Sequence, residues 1–453
     1  MARLLSKSDL PWQRAAVCKL AKVKRAIVWA LVGEGKSRVA LRLAARNIPP
    51  SENGEIIVIV CSPKAFYDWE DQILQCGYDW RVEIFKPNIA LAKRRINCLL
   101  VSCGMLHKYW THLSHYAIST IVYDELHGYS NCKARRTKAA AALTSYAEYV
   151  VGISGTIMPA RNNETIWGQS LTLGLSQLLA TNITQFRSKF RRSFFMETSQ
   201  RRFPVWSNAP KANERIHARL ADHTFLHFPK NEHRSILQKI SNLEMTNEQK
   251  KIIKQLKVEY YADLKKGNIE IKTALELVVQ IQRIANGYVR NTDGEIEEIK
   301  TNKVSALNES ICELVTAGKQ CVVWCAFRDD LTFLSKHLDF ASLQMSGGNA
   351  LDIDKWKSGK YPVVLATEDS GVSINHFANV QYAKYFSMSF KWVSLQQSQG
   401  RTNRKSSQHR VTHYEYLLVK GTMDSHAFQT ARQSGATERD FIKSGKLESW
   451  LKL

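Results

Sequence analysis

Two groups of residues in this chain have the types and spacing to do chemistry on phosphates. The first is Gly33-Glu34-Gly35-Lys36-Ser37, which follows the apolar run Ala26 to Val32 and precedes Arg38 to Arg46, a stretch that reads as a helix. A glycine-rich turn opening a helix aims backbone N–H groups at an anion, and the helix dipole favours negative charge there. Lys36 would then reach the β and γ phosphates of a nucleotide, and the Ser37 hydroxyl would ligate magnesium. Ala30 stands where the usual GxxxxGK(S/T) pattern has its first glycine, so taken alone an ordinary strand-to-helix turn competes with this reading. The second group, Asp124-Glu125-Leu126-His127, ends the apolar run Ile121 to Tyr123 with two adjacent carboxylates. One acid at a strand tip can hold magnesium while its neighbour orients or deprotonates an attacking water. Adjacent acids are commonly solvated loop residues, but a pair at the end of a buried strand, downstream of a glycine turn, points to a nucleotide-phosphate site.

The elements that must carry these groups follow from the hydrophobic pattern. Ala26 to Val32, Glu55 to Cys61, Asn97 to Ser102, Thr120 to Tyr123 and Tyr149 to Ser154 each read as a strand followed by a loop. Amphipathic stretches separate them, which argues for a parallel sheet covered by helices on both faces. The rhythm returns after residue 305 with Lys319 to Phe327, Tyr361 to Thr367, Val380 to Phe386 and His413 to Val419. The expected fold class is therefore α/β, with two RecA-like parallel-sheet domains in tandem over 1–156 and 305–428. A mainly helical insertion is expected over 157–304, with helices such as Asn247 to Lys266 and Ile271 to Ala285, and a tail over 429–453.

The 453 residues carry 64 Lys and Arg against 41 Asp and Glu, a formal charge of +23. Such an excess favours a polyanionic partner, because phosphates and released counterions supply non-specific affinity. A membrane surface would suit the charge too, but no apolar run approaches the roughly 20 residues needed to span a bilayer. Met1-Ala2-Arg3-Leu4-Leu5 lacks the apolar stretch of a signal peptide. The expectation is a cytoplasmic protein of a bacterial or phage-infected host cell, without a membrane partner. Nine cysteines include no CxxC pair, and reduced core thiols are expected rather than zinc sites or disulfides.

Together these motifs resemble the superfamily II helicases, and within them the Swi/Snf-like motors. The family's phosphate loop begins with Ala or Gly, which Ala30 satisfies, and Asp124 to His127 looks like its DEAH-type box. Leu10-Pro11-Trp12-Gln13 is similar to the upstream glutamine motif, in which Gln13 would read adenine. Val58 to Pro63 with Trp69-Glu70, and then Val101-Ser102, resemble segments that contact the nucleic-acid backbone. The resemblance thus assigns DNA contacts to Ser62, Pro63 and Ser102. Ser154-Gly155-Thr156 matches the motif coupling ATP state to domain movement, and His127 and Gly371 join that coupling set. Cys321 to Phe327 with Arg328-Asp329 resembles a Swi/Snf strand motif. Ala366 to Asn375 resembles the segment that would bring Thr367 to DNA, although Ser370 and Ser373 stand where glycines are usual. Gln397 to Arg404 fits QxxGRxxR, and its arginines, three apart, share a helix face. There Arg401 and Arg404, with Gln397, would stabilise charge on the γ-phosphate as arginine fingers do, the competing reading being solvated surface charge. Leu243 to Gln249 and Ile281 to Gly287 also look like Swi/Snf segments, and Phe390 departs from a usual tryptophan. The likeness extends from Leu10 to about Phe428.

What the resemblance implies is an ATP- and magnesium-dependent DNA helicase or translocase, with nucleotide held between two lobes. Phage-encoded helicases of this size look similar, which makes fork remodelling and branch migration in replication, recombination or repair the expected role. Its partners would be duplex, fork or Holliday-junction DNA and replication or recombination proteins, with the chain as a monomer. An RNA helicase, or a non-catalytic nucleic-acid binder with a degenerate ATPase core, are the alternatives. The segment Phe186 to Phe195 and Arg201-Arg202-Phe203 interleave basic and aromatic residues. Arg191, Arg192, Arg201 and Arg202 could grip phosphates there while aromatics stack on bases. Alternatively, phenylalanines at helical spacing pack inward and the arginines solvate an outer face.

Overall fold

The computed structural model describes residues 9–46, 55–87, 96–159, 162–197, 202–229, 235–265, 271–290, 295–346, 353–368, 376–403, 407 and 409–436. The chain divides into two compact units, Met1–Lys230 with Gln433–Leu453, and Asn231–Arg432.

The first unit is built on strands β1 (Arg25–Ala30), β2 (Ile56–Cys61), β3 (Val82–Ile84), β4 (Cys98–Ser102), β5 (Ile118–Tyr123), β6 (Ala147–Ser154) and β9 (Thr224–His227); an antiparallel pair, β7 (Arg191–Glu197) and β8 (Arg202–Asn208), stands apart from that sheet. The sheet order is β3-β4-β2-β5-β6-β1-β9, and every pairing is parallel. All six residues of β2 and of β5 are buried, as expected for strands covered on both faces. The faces alternate: Ile27 and Trp29 belong to one apolar core, Ala26, Val28 and Ala30 to the other. Because the strands are parallel, the loops after β1, β2, β4, β5 and β6 emerge from one edge, the carboxyl edge where α/β sheets place their sites. Three helices bear on those loops: α1 (Pro11–Leu20), α2 (Lys36–Ala45) and α3 (Phe66–Gln75).

The second unit has strands β10 (Ser235–Leu243), β11 (Tyr288–Arg290), β12 (Ile296–Glu298), β13 (Cys321–Cys325), β14 (Ser342–Met345), β15 (Val363–Thr367), β16 (Tyr382–Tyr385) and β17 (Val411–Val419). Six of them form an all-parallel sheet in the order β10-β17-β16-β13-β15-β14, while β11 and β12 make a separate hairpin. Val322 and Trp324 face one core and Cys321, Val323 and Cys325 the other. The expected tandem of parallel-sheet α/β units is what the chain forms.

The structure departs from expectation over 157–304, where the sequence pattern predicts a mainly helical insertion. That stretch is shared between the units, and it supplies an edge strand to each sheet, β9 beside β1 and β10 beside β17. Helices do dominate much of it, including Asn247–Lys265 and Ile271–Asn286. The strands escape a pattern search for a physical reason. β9 has only four residues, and β10, mostly exposed at its edge, mixes Ser, Gln, Lys and Asn with its apolar residues. Helical spacing likewise fails beyond Phe190, where the helix Ile183–Phe190 gives way at Arg191 to the extended β7 strand.

Candidate nucleotide site

The phosphate-loop candidate sits between β1 and α2. Gly33 and Gly35 have φ of 84° and 82°, a region in which side chains with a Cβ are strained. Gly35 N-caps α2, and a Cβ there would fall 2.7 Å from Gln13 Nε2. Lys36 folds over the turn, its Nζ donating to Leu31 O at 3.2 Å. Gln13, on α1, donates through Nε2 to Gly35 O at 3.1 Å and Glu34 O at 3.4 Å, while its Oε1 accepts Leu10 N–H at 2.8 Å. The side chain that the resemblance assigns to adenine thus braces the loop backbone here.

Glu34, inside this loop, is buried. Its Oε2 lies 3.2 Å from His227 Nε2, and Trp12 stacks on the His227 ring with centroids 4.3 Å apart and planes at 6°. A buried carboxylate beside a phosphate site requires a polar or cationic neighbour. No local motif singles out His227, since only the pairing of β9 with β1 brings it to the loop.

Asp124 directly follows β5 and is held by two N–H donors. Trp69 Nε1 donates to Oδ2 at 3.0 Å and Glu125 N to Oδ1 at 2.8 Å. Burial, and then the neighbouring Glu125 carboxylate, push the Asp124 carboxyl up to about 6, against the pull of those hydrogen bonds and of Lys36. Glu125 itself adopts left-handed backbone, φ 47° and ψ 54°, a conformation that costs a non-glycine residue roughly 1 kcal/mol or more. His127 Nδ1 lies 3.1 Å from Glu125 Oε2 and 3.0 Å from Ser154 Oγ. Ser154 Oγ donates to Thr156 O at 2.6 Å and accepts Thr156 N–H at 3.1 Å. A Cβ on Gly155 would meet Val32 Cγ2 at 2.6 Å and Lys36 Nζ at 3.3 Å, so the turn after β6 lies directly against the phosphate loop. Lys36, Asp124, Glu125, His127, Ser154, Gly155 and Thr156 therefore form one cluster along the carboxyl edge of the first sheet.

This cluster fits a magnesium-nucleotide. The candidate donors, the Ser37 hydroxyl and the Asp124 carboxylate, are hard oxygens, and the adjacent, partly buried carboxylates of Asp124 and Glu125 would gain from a divalent cation. Among the described residues no three His, Cys, Asp or Glu side chains converge as a protein-only metal cage. Magnesium needs none where phosphates and waters complete its shell.

The remaining candidates separate by unit. Ser62 and Pro63 follow β2, and the β2–β4 register pairs Cys61 with Ser102, so Ser62, Pro63 and Ser102 share the carboxyl edge. Thr367 ends β15 in the second unit and is buried. Gln397 and Arg401 lie on the helix Trp392–Thr402, 8% and 7% exposed, which sets Arg401 apart from a solvated surface charge. Arg404, Gly371 and Arg201 lie outside the described residues, as do Ser370 and Ser373.

Arg191 is not available as a surface phosphate contact. Its Nη1 lies 3.0 Å from Glu164 Oε2 and its Nη2 donates to Trp206 O at 2.7 Å, with Arg187 held by the same carboxylate at 2.7 and 2.9 Å. Phe186 and Phe190 are buried in the first core, so this half of the basic-aromatic segment packs. Arg192, Phe194 and Phe195, by contrast, are exposed on the hairpin, whose backbone register sets Glu197 opposite Arg202.

Comparison with known proteins sets this site in context. No protein-family model matches the chain. The protein p41 of Acyrthosiphon pisum secondary endosymbiont phage 1 is 24% identical, over 91% of this chain and 93% of its own length. The chain is similar to SWI2/SNF2 ATPase cores. The core of Sulfolobus solfataricus solved in complex with dsDNA shares 17% identity over 97% of this chain and 98% of that one, with a TM-score of 0.43. The same organism's core domain alone shares 16% identity over 94% and 90%, with a TM-score of 0.44.

Proposed function

We propose that this protein is a nucleic-acid-stimulated ATPase that translocates on duplex or branched DNA. The observation that carries the reading is the hydrogen-bonded path from Glu125 through His127 to Ser154, ending where Gly155 abuts Lys36. Such a path joins the residues that would meet the γ-phosphate to a turn able to respond when nucleotide is bound or lost.

The roles follow from the chemistry of each group. The Gly33–Gly35 amides and Lys36 would bind the phosphates. Ser37 and Asp124 would hold magnesium, whose chemistry is to neutralise charge on the β and γ oxygens. Glu125, in its left-handed pose beside His127, would orient the attacking water and take its proton. Gln397, Arg401 and Arg404 of the second unit would complete the charge stabilisation, so turnover would require both units. Ser62, Pro63 and Ser102 on the first unit and Thr367 on the second would grip the DNA backbone, and alternating grips would move it. Coupling of fork remodelling and branch migration to this cycle, in replication, recombination or repair, is the role that the resemblance to phage helicases favours.

The experiment is ATP turnover by wild-type protein and Lys36→Ala across duplex, forked, Holliday-junction and single-stranded DNA and RNA. Wild-type turnover stimulated most by duplex or branched DNA, and reduced about a hundredfold to a thousandfold in K36A, is expected, the range that a single charge-stabilising donor commonly contributes. Turnover surviving in K36A would refute the site, and preferential stimulation by RNA would refute the track.

A further inference from the structure

We infer that Trp69 is a positioning residue for the Asp124 carboxylate, acting on magnesium-nucleotide binding through its indole N–H. This rests on the ATPase reading above and deepens it. In the sequence, Trp69 belongs to a segment resembling nucleic-acid contacts. In the structure its ring is 2% exposed, packed on α3 within the core that also holds Cys61, Ile73 and Ile59.

Two observations separate this from plain packing. The indole Nε1 donates to Asp124 Oδ2 at 3.0 Å, across 55 residues of sequence. The other oxygen, Oδ1, already accepts Glu125 N–H at 2.8 Å, so each carboxylate oxygen carries one fixed donor. A carboxylate has about four lone-pair directions, so two donors immobilise the group while leaving each oxygen able to accept again. A buried tryptophan N–H needs a hydrogen-bond partner, and here that partner is the Asp124 carboxylate. Outer partners of this kind orient a ligand, and their loss typically lowers metal affinity about 10–100-fold. The helix that carries Trp69 begins at Phe66, directly after the Pro63–Ala65 turn at the tip of β2. The carboxylate is thereby tied to a segment on the same sheet edge.

The test compares wild-type protein with Trp69→Phe and with Trp69 replaced by benzothienylalanine, an isostere of tryptophan that lacks the N–H. A fluorescent ATP analogue is titrated in EDTA and again in magnesium, and the magnesium concentration for half-maximal turnover is measured. Affinity in EDTA should stay within about twofold, while the gain conferred by magnesium falls about tenfold and the magnesium requirement rises to match. Because the isostere preserves shape, it answers the question even if W69F fails to fold. A wild-type magnesium dependence in the isostere would overturn the inference while leaving the ATPase reading intact. Equal losses in EDTA and magnesium would also overturn it, since they would mark Trp69 as support for the whole nucleotide site. No nucleotide binding by the wild-type protein would overturn the ATPase reading and this inference together.

Discussion

The Ser154 hydroxyl receives the His127 imidazole: Nδ1 lies 3.0 Å from Oγ. A serine hydroxyl has one proton, and Ser154 spends it on Thr156 O at 2.6 Å, so its contact with His127 must be an acceptance. The proton therefore sits on His127 Nδ1, shared with Glu125 Oε2 at 3.1 Å. This places the acid that would activate water and the turn after β6 on one proton-ordered chain.

Ser154→Ala should break that chain without touching the phosphate loop. DNA-stimulated turnover is expected to fall about tenfold or more, on the scale of a lost hydrogen bond to a charged or polarised group, with nucleotide affinity within about twofold of wild type. Ser154→Thr, which keeps a hydroxyl, should recover much of the rate. Steady-state kinetics with saturating DNA measures both, and an undiminished kcat in S154A would remove the coupling role.

His227 should act on the apparent affinity for ATP rather than on the chemical step. His227→Ala leaves Glu34 without the imidazole at 3.2 Å, beside the turn proposed to receive phosphate. The expected result is a KM for ATP raised about fivefold to tenfold, since hydrogen bonds to charged groups contribute on the order of 1.5 kcal/mol, with kcat changed far less. His227→Gln, which can still donate, should recover most of the affinity. A fall in kcat at unchanged KM would contradict this division of labour.

The two arginines at the start of β7 should separate by readout. Arg191→Ala strips the Glu164 carboxylate of one of its guanidinium partners and is expected to cost about 2–3 kcal/mol of stability, visible as a lower urea midpoint. Arg192, exposed on the hairpin, should cost little stability when replaced by alanine. If it meets phosphate, the slope of log affinity against log salt should fall by about one. Salt titrations of DNA binding and urea melts of both variants decide the matter, and a normal melt for R191A would be the surprising outcome.

Acid should weaken the second unit through Glu415. Burial opposes its charge, but hydrogen bonds from Lys384 and Ser310, with Lys239 adding a further one, outweigh it and hold the carboxyl at about 2 rather than 4.5. A carboxyl depressed on folding stabilises above its unfolded value and loses that contribution as pH falls toward the folded value. The window is thus about pH 4.5 down to about 2. Each tenfold strengthening of proton release on folding corresponds to about 1.4 kcal/mol, before any discount for solvent screening. Glu415→Gln should flatten the pH dependence of unfolding in that window. A slope equal to wild type would show that the Lys239–Glu415–Lys384 group is not what acid attacks.

The legible part of this protein is what lies close along the chain. A strand, a glycine turn and a helix lie within about twenty residues around Lys36, so pattern alone suffices to place that strand–turn–helix unit there. Asp124 to His127 and Ser154 to Thr156 are legible for the same reason, being short motifs at the ends of largely apolar strands. Buried parallel strands announce themselves as unbroken apolar runs, because both faces are covered. Edge strands do not, which is why β9 and β10 escape the pattern and the span 157–304 reads as an insertion.

Tertiary structure alone decided what supports the site. Trp69 reaches Asp124 across 55 residues, and His227 reaches Glu34 across 193. No local spacing encodes such contacts, since they exist only once strand order has set which loops share an edge. The same holds for Arg191 and Arg192, adjacent in sequence and chemically identical. One faces Glu164 and the other solvent because successive residues on a strand point to opposite sides.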